Sequence, residues 1–152
     1  MRALLQRVKQ ASVSVDGVLH TAIDRGLLIF VGVKSKDALE DAQYLARRCA
    51  HLRIFEDVQG KMNLSVKDIS GSVLIVSQFT LYADTRKGTR PGFSDAAPPE
   101  SAEPLYNNYV DCVRSELGDS KVVTGVFRAM MEVSLINDGP VTVIIESKEA
   151  SL

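Results

Sequence analysis

Val73-Leu74-Ile75-Val76-Ser77-Gln78-Phe79-Thr80-Leu81 is the stretch on which the reading of this chain turns. Residues 73–76 are apolar without a break, so a strand here has no solvent face and belongs in the middle of a sheet. Residues 73–79 are therefore predicted as a central strand. Ser77-Gln78-Phe79-Thr80-Leu81 closes that run and opens a polar loop, 80–97, of about 20 residues, a length at which loops are usually functional or disordered. A second stretch, Asn137-Asp138-Gly139-Pro140-Val141-Thr142, places turn-forming residues between two β-like runs, 131–136 and 141–146.

Working outward, residues 11–15 alternate apolar and polar, as a half-buried strand does. Asp16-Gly17 is a two-residue hairpin signal, because both residues tolerate positive φ. Residues 18–23 return, Gly26 precedes the apolar run 27–33, and 3–8 form a further strand. Residues 37–52 read as a helix with Leu39, Ala42, Leu45, Ala46, Cys49 and Leu52 at helical spacing, and with Asp37 and Glu40 as a capping pair. A short strand is predicted at 53–55, and 56–72 is polar and irregular. Pro98 and Pro99 end the long loop. Residues 101–117 form a second helix on which Leu105, Tyr109, Val113 and Leu117 step by four, stopped by Gly118. The last strands are 121–124, 131–136 and 141–146. This order predicts an α+β fold with a mixed, largely antiparallel sheet or roll and two main helices, as one domain over residues 1–152.

The 152 residues are enough for a substantial core, and 45% apolar with 24% charged residues is ordinary for a globular protein. A formal net charge of −1 argues against a general nucleic-acid coat or a membrane-surface role, and leaves room for a small footprint on one end of an RNA. The longest apolar run, 27–33, is too short to span a bilayer. Arg2, Arg7 and Lys9 break up any signal-peptide segment, so the cytoplasm is the expected location. Cys49 and Cys112 have no metal or redox spacing and read as reduced thiols. His20 and His51 make no metal site, and no nucleotide or nucleophile-elbow motif occurs, so neither metal nor cofactor is expected. Tyr44, Tyr106 and Tyr109 read as core or interface residues.

Three places could carry chemistry. Ser77–Leu81 combines hydroxyls, an amide and an aromatic ring with backbone N–H groups leaving a strand, and such donors suit an oxyanion. The same residues would equally serve as a decorated strand end. In the loop, Arg86, Lys87 and Arg90 stand against Asp84 and Asp95; they read as phosphate contacts or as a solvated loop. Gly139-Pro140 reads as a turn between strands or as a cis bond whose glycine carbonyl can be approached closely.

The chain resembles the D-aminoacyl-tRNA deacylase family. The resemblance runs in order through Gln6-Arg7-Val8, Ala11-Ser12-Val13, Gly26-Leu27-Leu28, Arg53-Ile54-Phe55, Gly60-Lys61-Met62-Asn63, Ser77–Leu81, Arg90-Pro91 and Asn137–Thr142. It implies hydrolysis of the ester between a D-amino acid, or glycine mischarged on tRNA(Ala), and the tRNA. It implies a homodimer acting on the acceptor end of aminoacyl-tRNA, with no membrane or DNA partner. It implies active sites at the subunit interface, with Gly139-Pro140 of one subunit reaching the pocket of the other as a cis bond. There its carbonyls would reject an L side chain while a D side chain points away. Ser77, Gln78, Phe79 and Thr80 are the implied catalytic set: the Phe79 and Thr80 N–H groups as oxyanion donors, Gln78 and Phe79 placing the terminal adenosine. Thr80 is the one side chain able to act as nucleophile or water-orienting group. Substrate binding is implied for Gly139, Pro140, Arg7, Met131, Leu81 and Asn137, with Arg7 hydrogen-bonding the Gly-Pro carbonyls; Arg86, Lys87 and Arg90 are the implied tRNA contacts. With no acid–base residue evident, hydrolysis is expected to be substrate-assisted through the ribose 2′-hydroxyl. Arg128 departs from the family, where a small residue is usual. Two other readings compete: a catalytically silent dimer binding tRNA ends or a small ligand, and an acyl hydrolase using Thr80 on a non-RNA ester.

Overall fold

Asp16 and Gly17 both take positive φ, 51° and 75°, and turn β1 (Arg2–Val15) tightly into β2 (Val18–Ile23) in the computed structural model, which describes residues 1–147. β3 (Gly26–Gly32) continues beyond β2 in the same direction, so β2 and β3 lie end to end along one edge of β1: Ala11 faces Ile23, and Val8 faces Gly26. The partner changes at Asp24-Arg25. Gly26 is required there by space, since a Cβ would sit 1.7 Å from the Ser72 carbonyl oxygen.

Strand β8 (Glu132–Glu146) covers the other edge of β1 from Glu146 opposite Arg2 to Glu132 opposite Ser14. On the far side β3 pairs in parallel with β6 (Ser72–Ser77), and β6 with β7 (Val122–Thr124). The main sheet is thus mixed and strongly curled, and β6 is central as predicted. β4 (Phe55–Glu56) and β5 (Met62–Leu64) make a small separate hairpin.

The all-apolar runs pack on both faces. Leu5, Leu27, Ile29, Val73 and Ile75 meet α1 (Leu39–His51) and α2 (Pro99–Leu117), which contribute Leu45, Ala46, Cys49, Tyr106, Tyr109 and Val113. Val8, Val13, Ile23, Leu28, Leu74 and Val76 fill the inside of the curl. Burial of each such side chain contributes about 1.5–3 kcal/mol. The architecture is the α+β, mixed-sheet fold with two helices expected from the sequence. Among the described residues, no helix is long and apolar enough to cross a membrane.

Several boundaries differ from expectation. Residues 3–8 and 11–15 are one strand, because exposed Lys9 and Gln10 interrupt the apolar pattern but not the pairing. Residues 131–136 and 141–146 are likewise parts of β8; Asn-Asp-Gly-Pro forms a bulge within it and does not reverse the chain. The central strand stops at Ser77, and Phe79–Tyr82 is a 3₁₀ turn. The short strand shifts from 53–55 to Phe55–Glu56, and its partner Met62–Leu64 lies in the stretch expected to be irregular. Asp37 and Glu40 do not cap α1. The helix starts after Ala38, whose N–H donates to Asp41 Oδ2 at 2.8 Å, while Asp37 Oδ2 accepts the Lys34 N–H at 2.6 Å and lies 2.8 Å from the terminal ammonium. Leu39 is therefore 46% exposed instead of joining the apolar stripe. Pro99 opens α2, where a missing N–H costs nothing, and Gly118 closes it at φ 95°.

Between the helices, the Tyr109 hydroxyl is fully buried, and among the described residues it has no hydrogen-bond partner beyond a weak interaction with a thiol. Its neighbour is the Cys49 thiol, a weak acceptor whose own pKa burial pushes up to about 12. A buried hydroxyl with only a weak thiol acceptor recovers little of its desolvation cost. Tyr109→Phe should leave stability unchanged or raise it by about 1 kcal/mol, read as the urea midpoint at constant m-value; a loss of more than that would reveal a bond to the hydroxyl.

Candidate active site

β3, β6 and β7 run parallel, and their carboxyl ends open at one end of the sheet, the usual place for a ligand in such an arrangement. A cleft of about 730 Å³ lies there. Ser77, Gln78 and Phe79 line it from β6, Phe93 and Ala96 from the long loop, Pro99 and Tyr106 from α2, and Phe127 through Met131 from the segment after β7.

The local chain path follows from hydrogen bonding. Gln78 N–H donates to the Val31 carbonyl at 2.8 Å, which carries the β3–β6 ladder one residue past Ser77. The 3₁₀ turn then begins, and its first internal bond runs from Leu81 N–H to the Gln78 carbonyl at 3.3 Å. The N–H groups of Phe79 and Thr80 precede that bond and are left without an acceptor in the turn, as the first donors of any helix are. Arg2 fixes the turn from below: its Nη1 donates to the Leu81 carbonyl at 2.6 Å, and its guanidinium lies 4.9 Å from the centre of the Tyr82 ring. Gln78 Nε2 donates to Thr80 Oγ1 at 2.5 Å. Phe79 is 57% exposed and meets Phe93 edge to face, with ring centres 5.1 Å apart.

Across the cleft, the Val126 N–H points to Met131 Sδ at 3.4 Å, and Gly125 leaves room for that sulfur. Tyr106 donates its hydroxyl to the Ile75 carbonyl at 3.2 Å, and burial pushes its pKa well above the phenol range. Among the described residues, no cluster of three or more His, Cys, Asp or Glu side chains could hold a metal.

Ser77, Gln78, Phe79 and Met131 are thus brought together; Thr80 and Leu81 follow on the turn. Gly139, Pro140, Asn137 and Arg7 form a separate group. β1 residues Gln6 and Val8 pair with Thr142 and Asn137, so Arg7 alone faces the bulge between them. Asn137 closes the bulge: its Oδ1 accepts the Val141 N–H at 2.8 Å, and its Nδ2 donates to Thr142 Oγ1 at 3.0 Å. Gly139 has φ 138°, and a Cβ there would lie 2.7 Å from Val141 Cγ2 and 3.2 Å from Arg7 Nη2. The Gly139-Pro140 peptide is cis, and both residues are exposed. Arg7 is 6% exposed; its Nε donates to the Asp138 carbonyl at 3.0 Å and its Nη1 to the Ile54 carbonyl at 2.7 Å. Its bonds therefore go to the carbonyl preceding Gly139, not to those of Gly139 and Pro140.

Of the loop cations, Arg86 is taken up by Asp84, bonded through both carboxylate oxygens at 2.9 and 2.8 Å, and these bonds hold that carboxyl well below its usual range. Lys87 and Arg90 are exposed and make no ion pair among the described residues.

A family profile described as D-Tyr-tRNA(Tyr) deacylase matches residues 4–146. The chain belongs to that family. The D-aminoacyl-tRNA deacylase of Chlorobaculum tepidum is 54% identical over 147 residues, covering 97% of each chain. That of Halalkalibacterium halodurans is 57% identical over 148 residues, 97% of this chain and all of the relative. Among solved structures, a c-Myc DNA Unwinding Element Binding Protein superposes with a TM-score of 0.93 at 40% identity, covering 97% of this chain and 99% of that one. A probable eukaryotic D-amino acid tRNA deacylase gives 0.84 at 20% identity, over 95% and 98%, a likeness of fold. Membership makes this deacylase-family chain a hydrolase of the aminoacyl ester class.

Within this deacylase-family chain, Phe93, Phe127 and Val133 were not singled out from sequence, although they line the cleft. An aromatic residue at 93 inside a polar loop was the available signal.

Arg7 bonds two carbonyls on different segments, a geometry that a planar fork allows and a single ammonium does not. Arg7→Lys should destabilise the protein by about 2–3 kcal/mol in chemical denaturation, since a buried carbonyl loses its donor. Unchanged stability would mean that the two carbonyls are not held through Arg7.

Proposed function

We propose that the cleft hydrolyses the ester joining a D-amino acid, or glycine, to the 3′-terminal adenosine of tRNA. The observation that carries this reading is the pair of backbone donors, Phe79 and Thr80 N–H, left without an acceptor among the described residues in a turn that starts at the wall of an apolar cleft, beside an aromatic pair, Phe79 and Phe93. Adenine stacks against Phe79, with Phe93 bracing that ring from its edge. The ester carbonyl oxygen faces the two N–H groups, which stabilise it as negative charge develops; one such donor is worth about 10²–10³ in rate. Water adds to the carbonyl carbon, the bond to the 3′-oxygen breaks, and that oxygen takes up a proton, leaving free tRNA and the amino acid. Among the described residues, the side chains lining the cleft offer no carboxylate, imidazole or amine to shuttle that proton. The vicinal ribose 2′-hydroxyl, held in place by the cleft, serves instead.

The chiral filter comes from a second copy. Val133, at the start of β8, lines the cleft, whereas Gly139 lies six residues further along an extended strand, roughly 20 Å away. Gly139-Pro140 therefore does not reach the cleft of its own chain. The outer edge of β8 pairs with no strand among the described residues, and Leu135, Ile136 and Ile144 are exposed on β8. A long edge of that kind calls for a partner. A homodimer that buries it can bring the projecting Gly139-Pro140 carbonyls into the partner's cleft, where an L side chain collides and a D side chain points outward. One tRNA-directed domain over the whole chain, working in the cytoplasm, accords with this reading.

The reading is tested with D-tyrosyl-, L-tyrosyl- and glycyl-tRNA side by side. The D and glycyl esters should be hydrolysed and the L ester spared. A 2′-deoxy terminal adenosine should abolish turnover, while Thr80→Ala should stay within about tenfold of wild type, because the turn supplies backbone donors whatever the side chain. Loss of nearly all turnover in Thr80→Ala, or indifference to the 2′-deoxy change, would overturn substrate assistance in favour of a Thr80 nucleophile.

A further inference from the structure

The segment between β7 and β8 carries one residue whose chemistry the reaction above leaves unused. Arg128 lies on the rim of the cleft and is exposed. Its backbone is in the left-handed region, φ 66°, which a non-glycine residue enters only at a cost. Among the described side chains that line the cleft, it alone carries a formal charge. No carboxylate within the described residues pairs with it. Arg86, by contrast, is neutralised by Asp84. Among the described residues, the cleft thus presents one unpaired cation beside apolar walls, on a solvent-facing part of its lining.

We propose that Arg128 is an anion-positioning residue, pairing with a phosphodiester of the tRNA 3′ end while the terminal ester occupies the cleft. The inference rests on the deacylase reading above. A nucleotide whose base lies on Phe79 and whose ribose carries the ester has its 5′-phosphate leading out of the cleft. A guanidinium fork matches two phosphate oxygens, and charge-assisted bonds of this kind form without displacing an internal partner. The other anion available to such a cation is the carboxylate of an acidic D-amino acid. That side chain points away from the wall in the reading above, which favours the phosphate.

Arg128→Gly removes the charge and suits the left-handed backbone, so folding is not at issue. Its kinetics are compared with wild type and Arg128→Lys on three substrates: D-tyrosyl-tRNA, D-tyrosyl-adenosine, which has no phosphate, and D-aspartyl-adenosine. For D-tyrosyl-tRNA, Arg128→Gly should raise KM about tenfold with little change in kcat, and lower the slope of log KM against log salt by about 0.7. Arg128→Lys should recover most of that slope. On both phosphate-free esters Arg128→Gly should match wild type. An equal loss on D-tyrosyl-tRNA and D-tyrosyl-adenosine would overturn the proposal, as would no change on the tRNA. A loss confined to D-aspartyl-adenosine would reassign Arg128 to the amino-acid side chain. Wild-type protein inactive on every D ester would overturn the deacylase reading and this inference with it; active wild type with an indifferent Arg128→Gly overturns this inference alone.

Discussion

Strand β1 is hydrogen-bonded along both edges for nearly its whole length, to β2 and β3 in succession on one side and to β8 on the other. A strand so committed cannot bend at one edge without accommodation at the other, and on each edge an irregularity falls near Arg7–Gln10. On one edge the partner passes from β3 to β2; on the other, β8 bulges outward at Asp138–Val141. The Arg7 guanidinium sits at this junction and gives donors to two carbonyls, Asp138 and Ile54, that the bulge and the end of the α1 connection leave unpaired. The bulge is therefore a shaped projection and not a frayed strand, with Asn137 closing it from within.

Periodicity revealed most of the fold because the elements with one buried face or none exposed are those that sequence patterns report. Both helices, the Asp16-Gly17 hairpin and the central β6 follow from spacing and turn chemistry. What spacing does not report is continuity. Lys9 and Gln10 look like a break in a strand because their side chains are solvated, yet their backbone groups remain in the ladder. Asn-Asp-Gly-Pro looks like a reversal because its residues favour positive φ and fixed φ. Those preferences describe local angles, and here Asn137 uses its amide to carry the chain across a bulge and back into register.

The cleft was half legible for a related reason. Ser77-Gln78-Phe79 could be found because a buried strand must end somewhere, and the end frees backbone donors. Phe93, Phe127 and Val133 come from three separate segments. Only the parallel arrangement of β3, β6 and β7, which gathers their carboxyl ends, makes them neighbours. Surface cations illustrate the converse: Arg86 looks available in sequence and is bound to Asp84 two residues away, whereas Arg128 has no such partner among the described residues.

The proposed division of the site between two places about 20 Å apart along β8 has a consequence for specificity. In that proposal the cleft holds the backbone donors, and the Gly139-Pro140 bulge of a second copy is the wall. On that proposal a chain alone would bind an ester without selecting its hand, and selection would be coupled to assembly, because the outer edge of β8, which pairs with no strand among the described residues, carries the Gly139-Pro140 bulge. Rejection placed, as proposed, on backbone held by Arg7 and not on a side chain would also give a stiff wall. A carbonyl in a closed bulge has no rotamer through which to yield, and a filter that yields by an ångström no longer separates D from L.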